Sequence, residues 1–183
     1  MTREEALKLL KKKLTNNNLQ KHCLACEAVM GALADRFGED QDLWRLAGLL
    51  HDLDYEETKD DPERHGLLGA EKLSELGFPP ELVYAVKAHN EMLGFPRKSL
   101  LDKALYATDP VTGLIVAAAL IRPEKKLAMV DVQFLLNRFQ EKSFARGANR
   151  EQILSCSELG LELEEFFQIS LAAMQAIAEE LGL

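Results

Sequence analysis

Cysteine, basic charge, strand signals and long apolar runs are all scarce in this chain, and each shortage removes a class of protein. The cysteines are Cys23, Cys26 and Cys156. An odd number in 183 residues is not a disulfide framework, and the expectation is a reduced, cytoplasmic compartment. The longest apolar run, Gly113 to Ile121, is nine residues, whereas a membrane span needs roughly 20. Met1 leads into Thr2-Arg3-Glu4-Glu5 with no apolar leader segment, so no membrane partner is expected. Lysine and arginine total 22 against 30 acidic residues, a net charge of −8. That balance argues against a nucleic-acid polymer or an anionic membrane as principal partner. A small phosphorylated substrate stays open, because bound metal would supply local positive charge. Period-two alternation is confined to the neighbourhood of Val130 and Val132, and no Asn-Gly or Asp-Gly turn occurs.

What is present is helical periodicity in a globular composition, 47% hydrophobic and 28% charged. Leu19, Cys23, Cys26, Met30, Leu33 and Phe37 form one apolar stripe, with Asn16–Asn18 as caps and Gly38 as the stop. Further helices are expected over about Gln41–Asp54, Pro62–Leu76 (stopped by Gly77), and from Pro79-Pro80 onward, the last with Leu82, Val86, His89 and Leu93 on one face. Another should run from Ser99 to Asp109, where Pro110 forces a kink or restart before a buried apolar helix. The remaining segments are 129–145, 150–157 and 162–181, the last carrying Leu163, Phe167, Ser170, Met174, Ile177 and Leu181 at heptad-like spacing. The reading is one all-α domain over 1–183, a core of about 18–122 with the helices of 129–183 packed on it.

Against this apolar background the histidines stand out. Ala47-Gly48-Leu49-Leu50 belongs inside, yet His51-Asp52 follows, and His51 falls on the face of Ala47 and Trp44. Buried charge is unfavourable unless paired or bound to metal. His22 flanks the Leu19–Cys26 stripe, His89 follows Val86 on the apolar side, and His65 precedes the small residues Gly66, Gly69 and Ala70. These four are the only histidines in the chain. Asp109 follows Leu105 by four, on an inner face. Imidazole and carboxylate are the donors expected for zinc, iron, manganese and similar divalent ions. No acidic residue lies one helical turn from both His65 and His89 to serve as an ordinary partner, which also favours metal. As part of an Asp-Pro pair, Asp109 has a lesser alternative as the cap of a helix beginning at Pro110.

In this order, His22, then His51-Asp52 behind Gly48-Leu49-Leu50, then Asp109 in Ala107-Thr108-Asp109 with Thr112-Gly113-Leu114, the sequence resembles the HD-domain superfamily of metal-dependent phosphohydrolases. The likeness covers roughly residues 18–122 and points to a bacterial branch of HD hydrolases. It implies a helical phosphodiesterase-like bundle in which His22, His51, Asp52 and Asp109 hold one ion. His65 and His89 match the additional ligands of two-metal members, with Asp52 bridging. One or two divalent ions (iron, manganese, zinc, magnesium, nickel or cobalt) are expected, and the implied substrate is a nucleotide or related small phosphate ester, cleaved by a metal-bound hydroxide.

Helper residues follow from position. Lys21, beside His22, and Asp54, just past Asp52, are catalytic candidates, with Glu56 as a further acid. Arg138, Lys142 and Arg146 lie at i, i+4 and i+8, a basic column suited to a phosphate tail or simply to solvent. Cys23-Leu24-Ala25-Cys26 matches C-x-x-C but falls inside a core stripe, so both thiols are read as small hydrophobes. Two other functions remain open at this level: an HD-fold di-iron oxygenase, and a non-catalytic metal- or nucleotide-binding module.

Overall fold

The computed structural model describes residues 1–183 and contains helices and turns but no strand. Eleven α-helices follow one another: α1 (Arg3–Lys13), α2 (Asn17–Phe37), α3 (Gln41–Leu50), α4 (Tyr55–Thr58), α5 (Leu67–Glu75), α6 (Pro80–Ala88), α7 (Leu100–Leu120), α8 (Val132–Gln140), α9 (Arg150–Leu154), α10 (Leu163–Ala176) and α11 (Ala178–Leu181). The two 21-residue helices, α2 and α7, form the frame. α3 lies along α2, α6 packs on α3, α5 and α7, and α10 packs on α2, α7 and α8. One apolar cluster runs through all of these, from Leu10 and Trp44 to Phe166 and Phe167.

Local chemistry sets most of the boundaries. Asn16 caps α2 by accepting from the Asn18 N–H, and Gly38 ends it in the left-handed region at φ 69°. α1, which the sequence pattern left unassigned, carries a capping box in which Thr2 and Glu5 satisfy each other's backbone N–H. It is tied to α2 by a paired Arg3 guanidinium and the buried Glu27 carboxylate.

Four sequence expectations need correction. The helix expected to carry Leu93 ends at Ala88, because Asn90 turns the chain and caps a separate 3-10 turn over Glu91–Leu93. The helix expected from Pro62 begins only at Leu67, because Gly66 adopts φ 83° and its N–H is taken by Asp54. The helix expected to run to Asp54 ends at Leu50, and residues 51–54 form turns before α4. Pro110 neither breaks nor restarts α7. Proline cannot return a bond to the carbonyl four residues back, and that Tyr106 carbonyl instead accepts from the Gln152 side chain at 2.8 Å. α9 thereby supplies the partner that the proline removes.

Candidate metal centre

Six donors converge where α2, α3, α6 and α7 meet. Gly48 makes this possible: a Cβ there would sit 2.6 Å from the Cys26 carbonyl oxygen, so only glycine lets α3 lie this closely on α2. One turn later, at the C-terminal end of α3, His51 is delivered against His22. His51 is fully buried, and His89 and Asp52 nearly so. The side chains of His22, Asp109 and His65 keep 23%, 31% and 16% of their surface, so the centre opens to solvent on their side.

The donor atoms fall into two groups sharing Asp52. His22 Nε2 lies 3.2 Å from His51 Nε2, 3.1 Å from Asp109 Oδ1 and 3.6 Å from Asp52 Oδ2. His51 Nε2 is 3.5 Å from Asp52 Oδ1 and 3.8 Å from Asp109 Oδ1. In the second group His65 Nε2 is 3.1 Å from His89 Nε2, and the two lie 3.2 and 3.6 Å from Asp52 Oδ1. Ligands about 2.1 Å from a common ion and 90–110° apart are separated by roughly 3.0–3.5 Å, close to these values.

The other ring nitrogens decide what the converging ones can do. His51 Nδ1 donates to the Gly48 carbonyl at 2.8 Å, and His89 Nδ1 to the Val86 carbonyl at 2.6 Å. His65 Nδ1 donates to Asp54 Oδ1 at 2.9 Å. Thr112 donates its hydroxyl to the Asp109 carbonyl at 3.0 Å and so accepts from His22 Nδ1 at 3.1 Å. All four neutral imidazoles therefore carry their proton on Nδ1, and four Nε2 lone pairs face one another and two carboxylates. Facing lone pairs repel unless a cation lies between them. The donor set fits divalent metal.

Without metal, protons must do that work. Burial disfavours the imidazolium form of His51, but the neighbouring Asp52 charge raises it to about 9. Burial likewise opposes His65, and its bonds to Asp52 and Asp54 raise it to about 10. Burial also disfavours charge on the two carboxylates, yet His51 and its neighbours hold Asp52, and His22 and His51 hold Asp109, well below the usual carboxylate range.

The family model for the HD domain matches residues 19–120. The chain belongs to the HD-domain family. Ribonuclease Y of Desulfotalea psychrophila is 31% identical over 140 residues, 73% of this chain and 26% of that protein. Ribonuclease Y of Aquifex aeolicus is 27% identical over 170 residues, 91% of this chain and 30% of that protein. An uncharacterised protein of Methanocaldococcus jannaschii is 38% identical over 91 residues, 47% of this chain and 52% of that protein. The chain thus spans between a quarter and about half the length of these relatives.

The helper residues are distributed differently from their sequence expectation. Asp54 is buried and spent: it accepts from His65 Nδ1, Gly66 N–H and Gly69 N–H, so it orients a histidine and does not face open space. That partner, eleven residues upstream of His65, was invisible to a search one helical turn away. Glu56 accepts from the Thr15 and Asn16 N–H groups and braces the turn between α1 and α2. Lys21 is exposed and, with His22, Ala25, Thr112, Val116 and Leu181, lines a cavity of about 430 Å³. Asp109 sits inside α7 and is not a cap.

The basic column does not form. α8 ends at Gln140, and the Arg150 guanidinium gathers the carbonyls of Phe144, Ala145 and Ala148, curling residues 141–148 into turns. Arg138 pairs with Glu141, while Lys142 and Arg146 are exposed on those turns. Sequence reasoning missed Thr112 as the partner of His22, although it quoted Thr112 beside the motif. It also missed Cys26, whose thiol lies 3.7 Å from His22 Nε2.

Proposed function

We propose that this chain is a phosphohydrolase whose centre holds two divalent ions and whose substrate is a nucleotide or related small phosphate ester. The observation that carries it is the set of four Nδ1-anchored imidazoles with converging Nε2 atoms around Asp52 and Asp109. His22, His51 and Asp109 would hold one ion, His65 and His89 the other, and Asp52, whose Oδ2 faces His22 and whose Oδ1 lies between His51, His65 and His89, would serve both. Divalent ions bound here supply positive charge for phosphoryl oxygens and lower the pKa of water towards neutrality. The protein's part is positioning: Thr112, Asp54 and the Gly48 and Val86 carbonyls fix ring orientation and tautomer before substrate arrives.

Size and charge favour a small ester. The cavity beside His22 has room for a nucleoside-sized group, with Lys21 on its wall. The net charge of −8 works against long contact with a polyanion. A second reading is RNA phosphodiester cleavage, favoured by relatives named ribonuclease Y that match 73% and 91% of this chain. We expect phosphate release from nucleoside monophosphates in the presence of manganese, cobalt, zinc or iron, and no cut in end-labelled RNA. Cleavage of RNA without phosphate release from any nucleotide would select the second reading. No turnover of either with a fully metal-loaded chain would leave a binding module.

A further inference from the structure

We propose that Cys26 is a thiolate ligand of the ion held by His22 and His51, and that it biases this centre towards zinc, iron(II) or cobalt(II) over magnesium. The proposal rests on the metal-centre reading above and adds a donor of a different chemical class to it. Cys26 lies four residues after His22 on α2, so the two side chains leave the helix on the same face, one turn apart. Its Sγ is 3.7 Å from His22 Nε2, and His22, Cys26 and His51 each present a donor atom within 4.8 Å of the other two. Bonds of about 2.3 Å to sulfur and 2.0 Å to nitrogen, 90–110° apart on a common ion, place those atoms roughly 3.0–3.5 Å apart. The observed 3.7 Å is a few tenths of an ångström wider, a gap that a small side-chain movement on ion binding closes.

The two cysteines of the C-x-x-C motif are equally buried but differently surrounded. Cys23 belongs to the apolar core cluster, whereas Cys26 stands outside it. The polar neighbours of the Cys26 thiol are His22 Nε2 and, at 3.8 Å, Thr112 Oγ1, the hydroxyl that anchors the same histidine. A protonated thiol could give that imidazole lone pair only a weak S–H···N bond at 3.7 Å. A thiol that exchanges its proton for a metal bond satisfies both groups, the proton passing to solvent and the ion keeping its oxidation state. Soft thiolate selects borderline ions, and magnesium, which prefers oxygen ligands, is disfavoured.

The test is cobalt(II) loading of the full chain, followed by visible and near-ultraviolet absorption. Wild type should show visible ligand-field bands together with an intense near-ultraviolet thiolate-to-cobalt band. That band should vanish in Cys26→Ser and Cys26→Ala, persist in Cys23→Ser, and disappear with a fall of at least about tenfold in zinc affinity. Circular dichroism identifies a folded variant, and the alanine and serine substitutions back each other up. Wild type with visible bands, no near-ultraviolet band and zinc affinity unchanged in Cys26→Ser overturns the proposal while leaving the metal centre intact. Failure of wild type to take up cobalt at all overturns the metal centre and this proposal with it.

Discussion

The two halves of the centre are built in different ways. His22, His51 and Asp109 come from α2, the end of α3 and the interior of α7, all elements packed into the core. His65 and His89 come from a run of turns and from the end of a nine-residue helix, and their placement relies on Gly66, where a Cβ would meet the Val86 carbonyl at 2.9 Å. The first half is held by helix packing. In the second, His89 rides on packed α6, but His65 is held by hydrogen bonds to a turn, where the single carboxylate of Asp54 makes three. Secondary elements fixed mainly by packing resist local opening, whereas turns open at lower cost. The first half should therefore bind the tighter ion, and the second the more easily lost one.

Removing the residue common to both halves should erase the difference. Asp52→Ala is expected to abolish hydrolysis and to empty both positions, because its carboxylate lies against histidines of both groups. Metal analysis and a phosphate-release assay on the folded variant check this, and near-normal turnover would contradict the two-ion reading. His89→Ala isolates the second half. It should lose about one metal equivalent, keep the other, and cut turnover steeply; full metal content with full activity would make the site mononuclear.

Asp54→Asn sharpens the comparison without touching a donor. The outer partners of metal-binding histidines typically account for 10–100-fold in metal affinity, so the second ion should weaken by about that factor and the first hardly at all. Equal weakening of both, measured by competitive chelation, would show that the halves are not independently supported.

Acid–base behaviour gives a further test of the metal-free state. His51 and His65 are raised to about 9 and about 10, above the value of about 6.5 expected in an unfolded chain. Their ion pairs thus contribute fully below about pH 6.5 and are lost as pH rises through 9 to 10. The chelated protein should lose thermal stability across that window. Metal, which competes with those same protons, should bind more tightly across it. A melting temperature independent of pH between 6.5 and 10 in chelator would contradict this. The smallest effect concerns the frame: Gln152→Ala leaves the Tyr106 carbonyl without its partner and should cost about 1 kcal/mol, read as a fall of roughly 2–4 °C in melting temperature with metal content unchanged.

Apolar spacing and capping chemistry determined the helices, because both act within a few residues. Leu19 to Phe37 reads as α2 from its stripe alone, and Asn16 and Gly38 mark its ends within a residue. The same spacing placed His22, His51, His89 and Asp109 on inner faces, and scarcity of histidine made their grouping visible. What sequence left open depended on neighbours distant in the chain. Tertiary contact with Gln152 let α7 continue through Pro110, and Arg150 dissolved the basic column that helical periodicity drew through Lys142 and Arg146. Asp54 was one acid among many until folding brought Gly66 and Gly69 to it, and Cys26 was one apolar-stripe residue until α3 set His51 beside it. Local pattern determines which face of a helix is buried. Only the packing of several helices decides which buried group meets which, since a ligand set is a coincidence of side chains from separate elements at separations of a few ångströms.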